Sequence, residues 1–322
     1  MATDMRPLLG IVASKRLRRV NKKQLGNVST NGGDRTIDQF VEDHLEVLRN
    51  YQLLVTRGTY IDSFAPASDR EKLRDVPGNQ AIPWEPVFSG LTGEVLRHGK
   101  DGGLLELSAR LLQGKQGHPA CRVIVFLMDP RDFEEQFPEN RQLIRMASVA
   151  NSILLMNYRS ASLWASYESE YKPTSPQCRP PYNTTERVAL IAHNEKKIPM
   201  CKFVAKYHRA LTQFESLITT GTTGMYVLDF LKLFDPEFES LDRQHSGPSG
   251  GDAEISQLIL NGECQHVCFF TDPMTAHPHE ADVAALLRAC TFDGCEVNLR
   301  LTPNAAQSWM DSVVETLALT NS

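Results

Sequence analysis

Two short segments in the second half of the chain combine hydroxyl groups with glycines, the residue types that bind phosphate. Thr219–Gly224 lies between a predicted strand and a predicted helix, and Ser246–Asp252 opens another predicted helix. Hydroxyls and the free N–H groups at a helix start can hold an anion, and glycine lets the backbone approach it closely. Such a turn is more often only a helix cap, so both interpretations stay open at this point.

A carboxylate at the end of the second segment could remove a proton. Asp252 could also be a capping residue or a first-turn acid that the helix dipole favours. The first half of the chain has Leu104 at the corresponding position of the repeat described below. Because a comparable loop and helix form there without a carboxylate, capping alone is a weak explanation for Asp252.

Two further segments supply imidazoles and a lysine. His279 and Asp282 are three residues apart at a predicted helix start, a spacing at which a carboxylate can fix the tautomer of an imidazole. His193 ends a predicted strand and is followed closely by Lys197. No cysteine or third carboxylate completes a ligand set around His277 and His279, so no metal site is expected.

The elements that must position these residues occur twice. Apolar strands at Leu8–Ser14 and Val188–His193 each lead to an amphipathic helix. Gly102–Gly114 then aligns without gaps with Gly250–Gly262, and the spacing from an Asp-Pro pair to an arginine is the same in both halves. We therefore predict a tandem duplication of one unit. The matched Asp-Pro segments and arginines are Phe126–Pro130 with Phe269–Pro273, and Arg145 with Arg288.

The alternation of strands and helices predicts the fold class α/β, with two tandem three-layer α/β/α units and mostly parallel sheets. Tyr171–Thr185 contains four prolines and is predicted to be an extended linker. We expect a degenerate unit at 1–168, a linker at 169–186 and a catalytic unit at 187–322. Ligands of such sheets bind at the carboxyl ends of the strands, where all four segments are predicted to lie.

Composition and charge restrict the class of protein. The 322 residues correspond to roughly two domains, and 41% hydrophobic with 23% charged residues is typical of globular proteins. A net charge of −5 provides no broad basic surface for nucleic acid. Neither a membrane-spanning run nor a secretory signal is recognisable, and the seven cysteines show no zinc spacing. We expect a soluble cytoplasmic protein with reduced thiols and no nucleic-acid or membrane partner.

The four segments, in this order, resemble the signature of methylglyoxal synthase. That signature is a strand with His-Asp-x-x-Lys, then Ala-Thr-Gly-Thr-Thr-Gly, Ser-Gly-Pro-x-Gly-Gly-Asp, and Asp-Pro with Pro-His-x-x-Asp-Val and Leu-Leu-Arg. The resemblance covers about residues 187–310, and the first half resembles a degenerate copy. The matching segments are His193–Lys197, Thr219–Gly224, Ser246–Asp252, Asp272-Pro273, Pro278–Val283 and Leu286–Arg288.

The resemblance implies conversion of dihydroxyacetone phosphate, a small phosphorylated substrate, to methylglyoxal and inorganic phosphate, with no metal or other cofactor. It implies that Asp252 is the base and that His279, oriented by Asp282, donates to the enediol oxygen. Arg288 resembles an arginine that reaches a neighbouring subunit's phosphate site, which implies a homo-oligomer. The positions that match substrate and phosphate binding are His193, Lys197, Thr220, Thr222, Thr223, Ser246 and Gly247.

One departure from the signature leaves alternatives open. Asn194 stands where the family has Asp, and an amide keeps hydrogen bonds but cannot carry a proton. The protein is then either an active synthase or a non-catalytic module that senses a phosphoester or nucleotide, since the same fold is the regulatory domain of carbamoyl phosphate synthetase. An inosine-monophosphate cyclohydrolase also has this fold, but it matches the predicted catalytic set less well.

The first half lacks the chemical groups of the second, so we expect it to perform no chemistry and to have a structural role. The basic stretch 15–23 is predicted to be a solvated loop. The insertion 61–86 suggests no function. The replacements are Ser14 for His193, Arg57 for Thr220, Leu104 for Asp252 and Gln136 for His279.

Overall fold

Apolar segments of the sequence form two separate five-stranded sheets. The structure is a computed structural model that describes residues 6–19, 35–113, 120–130, 138–169, 183–239, 241–275, 280–292 and 297–320. The chain divides into two units, Met1–Ser169 and Glu170–Ser322. Most of the predicted linker, residues 170–182, lies outside the described residues.

The N-terminal unit alternates strands with helices from its first strand onward. Short helical turns at Lys15–Leu17 and Gly99–Asp101 and a π-helical turn at Tyr60–Phe64 interrupt its loops. Its strands and helices are β1 (Leu8–Ala13), α1 (Ile37–Asp43), α2 (Leu45–Leu48), β2 (Gln52–Thr56), α3 (Arg57–Thr59), α4 (Arg70–Arg74), β3 (Thr92–Leu96), α5 (Gly103–Arg110), β4 (Val123–Leu127), α6 (Pro138–Val149), β5 (Ile153–Leu155) and α7 (Tyr158–Glu168).

The C-terminal unit follows the same scheme with fewer insertions. Short helical turns at Asn194–Lys196 and Gly247–Ser249 precede two of its helices. Its strands and helices are β6 (Arg187–Ala192), α8 (Lys197–Leu211), β7 (Ser216–Thr219), α9 (Gly221–Lys232), β8 (Leu241–Arg243), α10 (Gly251–Leu260), β9 (His266–Phe270), α11 (Glu280–Ala289), β10 (Asn298–Arg300) and α12 (Pro303–Thr320).

Both sheets are parallel throughout and have the same strand order. The N-terminal order is β3-β2-β1-β4-β5, and the C-terminal order is β8-β7-β6-β9-β10. In each unit the first strand is therefore central, and the chain moves to one side of it before returning to the other. The gap between the first and fourth strands is the switch point at which ligands bind in open parallel sheets.

Apolar residues at alternating positions of β6 pack against helices on the two faces of the C-terminal sheet. Val188, Leu190 and Ala192 belong to one buried cluster with Phe203 of α8 and Trp309 of α12. Residues between them on the strand point to the other face because side chains alternate along a strand. Helices α10 and α11 pack against each other, and the predicted α/β/α fold with parallel sheets is confirmed.

Two predicted boundaries differ from the structure. The sequence predicts Thr219–Gly224 to lie between a strand and a helix, but β7 ends at Thr219 and α9 begins at Gly221. Thr220 is the N-cap of α9 and has an extended backbone. The hydroxyls of Thr222 and Thr223 therefore lie in the first helical turn rather than in a loop, because Thr220 already supplies the change of direction.

The cysteines pack as small apolar residues. Five are free and buried: Cys121, Cys201, Cys264, Cys268 and Cys290. The other two, Cys178 and Cys295, lie outside the described residues. In the described ranges, no helix has the length and hydropathy to cross a membrane.

Candidate functional site

Four loops meet at the carboxyl edge of the C-terminal sheet. His193 follows β6, Thr220 follows β7, Ser246 follows β8, and Asp272 follows β9. The last residue of β6, Ala192, pairs with Phe270, the last residue of β9. The carboxyl ends of parallel strands lie at one edge of a sheet, so this topology collects the four predicted segments on one side.

His193 connects the ends of β6 and β9. Its backbone N–H donates to the carbonyl oxygen of Phe270 at 3.1 Å, and its Nδ1 accepts a hydrogen bond from the backbone N–H of Asp272 at 2.9 Å. The ring is buried and meets Phe269 edge-to-face, with centroids 5.1 Å apart. Because Nδ1 is the acceptor, the neutral ring carries its proton on Nε2.

The N-terminal unit keeps half of this arrangement. Ser14, at the position of His193, accepts from the backbone N–H of Asp129 through its Oγ at 2.9 Å. Its own N–H donates to Leu127 as that of His193 donates to Phe270. A serine therefore suffices for the connection between the strands, and the histidine adds a second nitrogen that carries a proton.

A chain of hydroxyls joins α9 to the end of β6. The Thr220 hydroxyl donates to Thr223 Oγ1 at 3.1 Å, and the Thr223 hydroxyl donates to the carbonyl oxygen of Ala192 at 3.3 Å. Both buried hydroxyls thus donate their protons within the protein. The Thr220 oxygen can still accept a hydrogen bond, and the Thr222 side chain is exposed at the start of the helix. Thr219 Oγ1 is buried without a hydrogen-bond partner in the part of the chain that the structure describes.

Glycines let the loops after β7 and β8 touch. The N–H of Gly221 donates to the carbonyl oxygen of His245 at 2.9 Å. A Cβ added at Gly251 would lie 1.9 Å from the same carbonyl oxygen, and Gly250 has a φ of +101°. Both glycines before Asp252 are required by this turn, one for space and the other for its left-handed backbone.

The loop after β8 is held from α10. Glu254 accepts from the backbone N–H of His245 at 2.8 Å, and its carboxylate lies 2.6 Å from His245 Nδ1. These hydrogen bonds lower the pKa of Glu254. Within the loop, the hydroxyl of Ser246 donates to Ser249 Oγ at 2.8 Å, and Gly247 is buried. Glu254 could not be identified from the sequence because it lies in no recognisable motif.

Asp252 is a buried carboxylate in the first turn of α10, with 1% of its surface exposed. Its backbone carbonyl accepts from the hydroxyl of Ser256 at 2.7 Å. This position is near the positive end of the helix dipole. The structure thus places an acidic group among the loops at the carboxyl edge of the sheet.

Lys197 begins α8 and lies beside Asn194. Its Nζ donates to Asn194 Oδ1 at 2.7 Å and lies 5.5 Å from the centre of the Tyr226 ring on α9. Desolvation by its surroundings lowers the pKa of Lys197. The amide at 194 therefore holds the lysine through a neutral acceptor, where the family signature has a carboxylate.

The segment after β9 is described only in part. His279 lies outside the described residues, whereas Asp282 is exposed on α11. The Arg288 guanidinium lies 5.6 Å from the centre of the Phe292 ring, and its Nε has no hydrogen-bond partner among the described residues. Neither Asp282 nor Arg288 shows a hydrogen bond or ion pair with the other predicted residues within the ranges that the structure covers, so their roles stay predictions.

In the described ranges no group of three or more His, Cys, Asp or Glu residues is arranged to hold a metal ion. The groups that the described loops bring to this edge of the sheet are a buried carboxylate, an imidazole with a fixed tautomer, a lysine and a set of hydroxyls and N–H groups. Such a set can bind a phosphate and move a proton.

Several proteins named methylglyoxal synthase are similar to this chain in sequence. The chain is 46% identical over 103 residues to a methylglyoxal synthase of Oceanobacillus iheyensis, a match that covers 32% of this chain and 69% of that protein. It is 46% identical over 104 residues to a methylglyoxal synthase of Acholeplasma laidlawii, covering 32% of this chain and 80% of that protein. No protein-family model matches the chain.

A solved structure of the same name is also similar. Methylglyoxal synthase from Elizabethkingia anophelis NUHP1 is 31% identical, with 39% of this chain and 78% of that chain covered and a TM-score of 0.34. The sequence matches extend over more than two thirds of each relative but over only about a third of this chain. By the identity to these relatives, the chain belongs to the methylglyoxal synthase family.

Proposed function

We propose that the C-terminal unit is a methylglyoxal synthase that converts dihydroxyacetone phosphate to methylglyoxal and inorganic phosphate. The buried carboxylate of Asp252 carries this proposal. In the N-terminal unit the equivalent Leu104 lines a cavity at the carboxyl ends of the strands. By this internal equivalence, Asp252 would face the place where a substrate would sit.

The reaction begins with removal of a proton. The Asp252 carboxylate takes a proton from the hydroxymethyl carbon of the substrate, and the electron pair moves toward the ketone oxygen to give an enediolate. The Nε2–H of His193 is a donor to the oxygen end of the substrate. The family resemblance adds His279, oriented by Asp282, as a second donor to the developing charge.

The second step expels phosphate. A proton moves from the hydroxyl of the former hydroxymethyl carbon to the enediolate oxygen. The hydroxyl oxygen then forms the aldehyde carbonyl, the carbon–carbon double bond shifts to the carbon that bears the phosphate, and the bond from that carbon to the phosphate oxygen breaks. The departing phosphate takes the proton that Asp252 removed, and the enol product tautomerises to methylglyoxal. Lys197, Thr220, Thr222 and the loop at Ser246–Gly247 would hold the departing dianion. Their supporting features are the charge of the lysine and the helix start that presents the threonines.

The test is the release of phosphate from dihydroxyacetone phosphate by the intact chain. Asp252→Asn keeps the shape of the side chain but removes the base, so we expect the rate to fall by about 10²–10⁴-fold. Asp229→Asn, which changes an exposed carboxylate on α9, is the matched control and should retain activity. Equal rates for wild type and Asp252→Asn would reject the role of Asp252, and no release by wild type would reject the function.

Homo-oligomerisation is part of this proposal. The Arg288 side chain would complete the phosphate site of a neighbouring subunit, as the family resemblance implies. Arg288 is partly exposed in the last turn of α11, where a neighbouring copy would meet its guanidinium. Analytical ultracentrifugation should find a stable oligomer, and a monomer at assay concentration would contradict this part.

A non-catalytic sensing module is the second candidate, and Asn194 favours it. Its amide accepts from Lys197 as a carboxylate would, but it cannot carry a proton. If this substitution has abolished turnover, the wild type binds dihydroxyacetone phosphate without releasing phosphate, and Asn194→Asp starts the release. Turnover by the wild type would reject the sensing module.

A further inference from the structure

The N-terminal unit contains a cavity of about 880 Å³ at the carboxyl ends of its strands. Ser14 follows β1, Arg57 follows β2, and His98 lies beyond β3, and all three line the cavity. Its volume falls within the range of about 300–1,000 Å³ that is typical of small-molecule sites. We infer that this cavity binds an organic phosphate with two or more negative charges and does not convert it.

The cavity lining carries an excess of positive charge, although the chain as a whole has a net charge of −5. Five lysines and arginines and three carboxylates line it. One of the carboxylates, Asp62, forms ion pairs with two of the cations, Arg18 Nη1 at 3.0 Å and Arg74 Nη2 at 2.7 Å. The remaining cations that the inference uses are Lys15, Arg57 and Lys100.

Arg57 is the buried cation of this group, with 6% of its surface exposed. Its Nη1 donates to the carbonyl oxygens of Val76 and Pro77 at 3.0 Å each, and its Nη2 donates to that of Gln80. These acceptors are neutral, and Arg57 forms no ion pair among the described residues. Its Nε is buried with no hydrogen-bond partner there. A buried charge is costly unless it is paired, so an anion in the cavity would stabilise this arrangement.

Two segments to which the sequence assigned no binding function build the cavity. The insertion 61–86 supplies Asp62, Arg74 and the carbonyls that hold Arg57. The basic stretch supplies Lys15 and Arg18. The Arg18 guanidinium lies so close to Gly58 that an added Cβ would be 2.6 Å from its Nη1. The prediction of a solvated loop is therefore wrong for Arg18.

The electrostatic potential in the cavity is positive at His98. Burial lowers the pKa of this imidazole most, and the charge of Arg18 lowers it next. Asp101 raises the pKa by less than Arg18 lowers it, and Lys100 and Arg57 lower it by smaller amounts. Its Nδ1 accepts from the backbone N–H of Lys100 at 3.2 Å. Cations on separate elements thus act on one point in the cavity, where a dianion would be attracted.

The cavity has no group equivalent to the proposed base. Leu104 takes the position of Asp252 and is 7% exposed. The Ser14 oxygen takes the position of His193 and accepts from Asp129. A phosphate ester bound there meets the lining cations, and at the position of the proposed base it meets an apolar side chain that cannot remove a proton. This inference does not depend on turnover in the C-terminal unit.

Hydrogen–deuterium exchange of the full chain tests the site, with pyrophosphate and fructose 1,6-bisphosphate as probes. Peptides covering 57–80 and 97–106 should become protected in a saturable manner. The double variant Lys15→Gln/Lys100→Gln changes two exposed lining cations and should weaken this protection at least about tenfold. Lys72→Gln, an exposed lysine outside the cavity lining, is the charge-matched control.

The outcomes separate the site from a general effect of charge. Circular dichroism first establishes that each variant is folded. Protection at 57–80 that is lost in the double variant and kept in Lys72→Gln supports the inference. No saturable protection of the wild-type peptides by either probe, or equal weakening by the control, overturns it. Arg57→Gln gives an independent check, since it removes the buried charge and should abolish protection if it folds.

Discussion

The two nitrogens of His193 can be tested separately. His193→Asn places an amide oxygen near the position of Nδ1 and keeps the acceptor for the N–H of Asp272, but it loses the donor at Nε2. His193→Gln places an amide nitrogen near the position of Nε2 and keeps the donor, but it loses the acceptor. Both variants lose the edge-to-face contact of the ring with Phe269, so this loss cancels when they are compared with each other.

The structure predicts opposite effects of the two variants on stability and on rate. His193→Gln leaves the N–H of Asp272, 2.9 Å from Nδ1 in the wild type, without its acceptor, which should cost about 1–3 kcal/mol more than His193→Asn. That corresponds to a lower melting temperature by about 2–4 °C per kcal/mol. His193→Asn lacks the donor to the reacting oxygen, and its kcat should fall by about 10²–10³-fold.

Thermal unfolding and phosphate release of both variants test these two roles of the imidazole. We expect His193→Gln to be the less stable and the more active variant of the two. If His193→Asn kept the wild-type kcat, the Nε2–H would not contact the reacting oxygen. If His193→Gln were as stable as His193→Asn, the hydrogen bond to Asp272 would contribute nothing, and the assigned tautomer would lose its support.

Three other perturbations have defined outcomes. Gly251→Ala forces a methyl group against the His245 carbonyl oxygen, 1.9 Å away, and should cost about 1–3 kcal/mol in thermal unfolding. Because desolvation lowers the pKa of Lys197, its ammonium loses its proton as the pH rises through that lowered value, so KM for dihydroxyacetone phosphate should rise at a lower pH than for an exposed lysine. Burial raises the pKa of Cys264 and of Cys268 to about 12, so iodoacetamide at pH 8 should label them only after unfolding.

Each of these has a comparison that could contradict it. Gly250 has open space around an added Cβ but a φ of +101°, so Gly250→Ala costs backbone strain of about 1–2 kcal/mol and leaves the neighbouring loop in place. A Gly251→Ala variant with the thermal stability of the wild type would contradict the close approach of Gly251 to the His245 carbonyl oxygen. Lys197→Arg stays charged at all assay pH values and should remove the alkaline rise in KM. Labelling of Cys264 in the native state would contradict its burial.

The repeat explains why so much of the fold could be predicted. Apolar strands, amphipathic helices and glycine turns recur in the same order in both halves, and this pattern alone predicts parallel sheets with functional loops at one edge. The boundary at Gly221 was missed because Thr220 can end a strand or cap a helix, and only the packing of α9 against the sheet selects the second. Hydrogen-bond partners such as the N–H of Asp272 are invisible to sequence patterns because a backbone donor has no residue type.

The sequence by itself determined which groups this protein has and which strand ends they follow: a carboxylate, imidazoles, a lysine and hydroxyls in the order typical of the family, with Leu104 in the first half where the second half has Asp252. Only the tertiary structure decided what those groups can do. The contact between β6 and β9 sets the tautomer of His193. Carbonyls of an insertion hold Arg57 within a cavity. In both cases, residues that are far apart in the chain lie close together in the folded protein. A sequence pattern does not contain the distances between them.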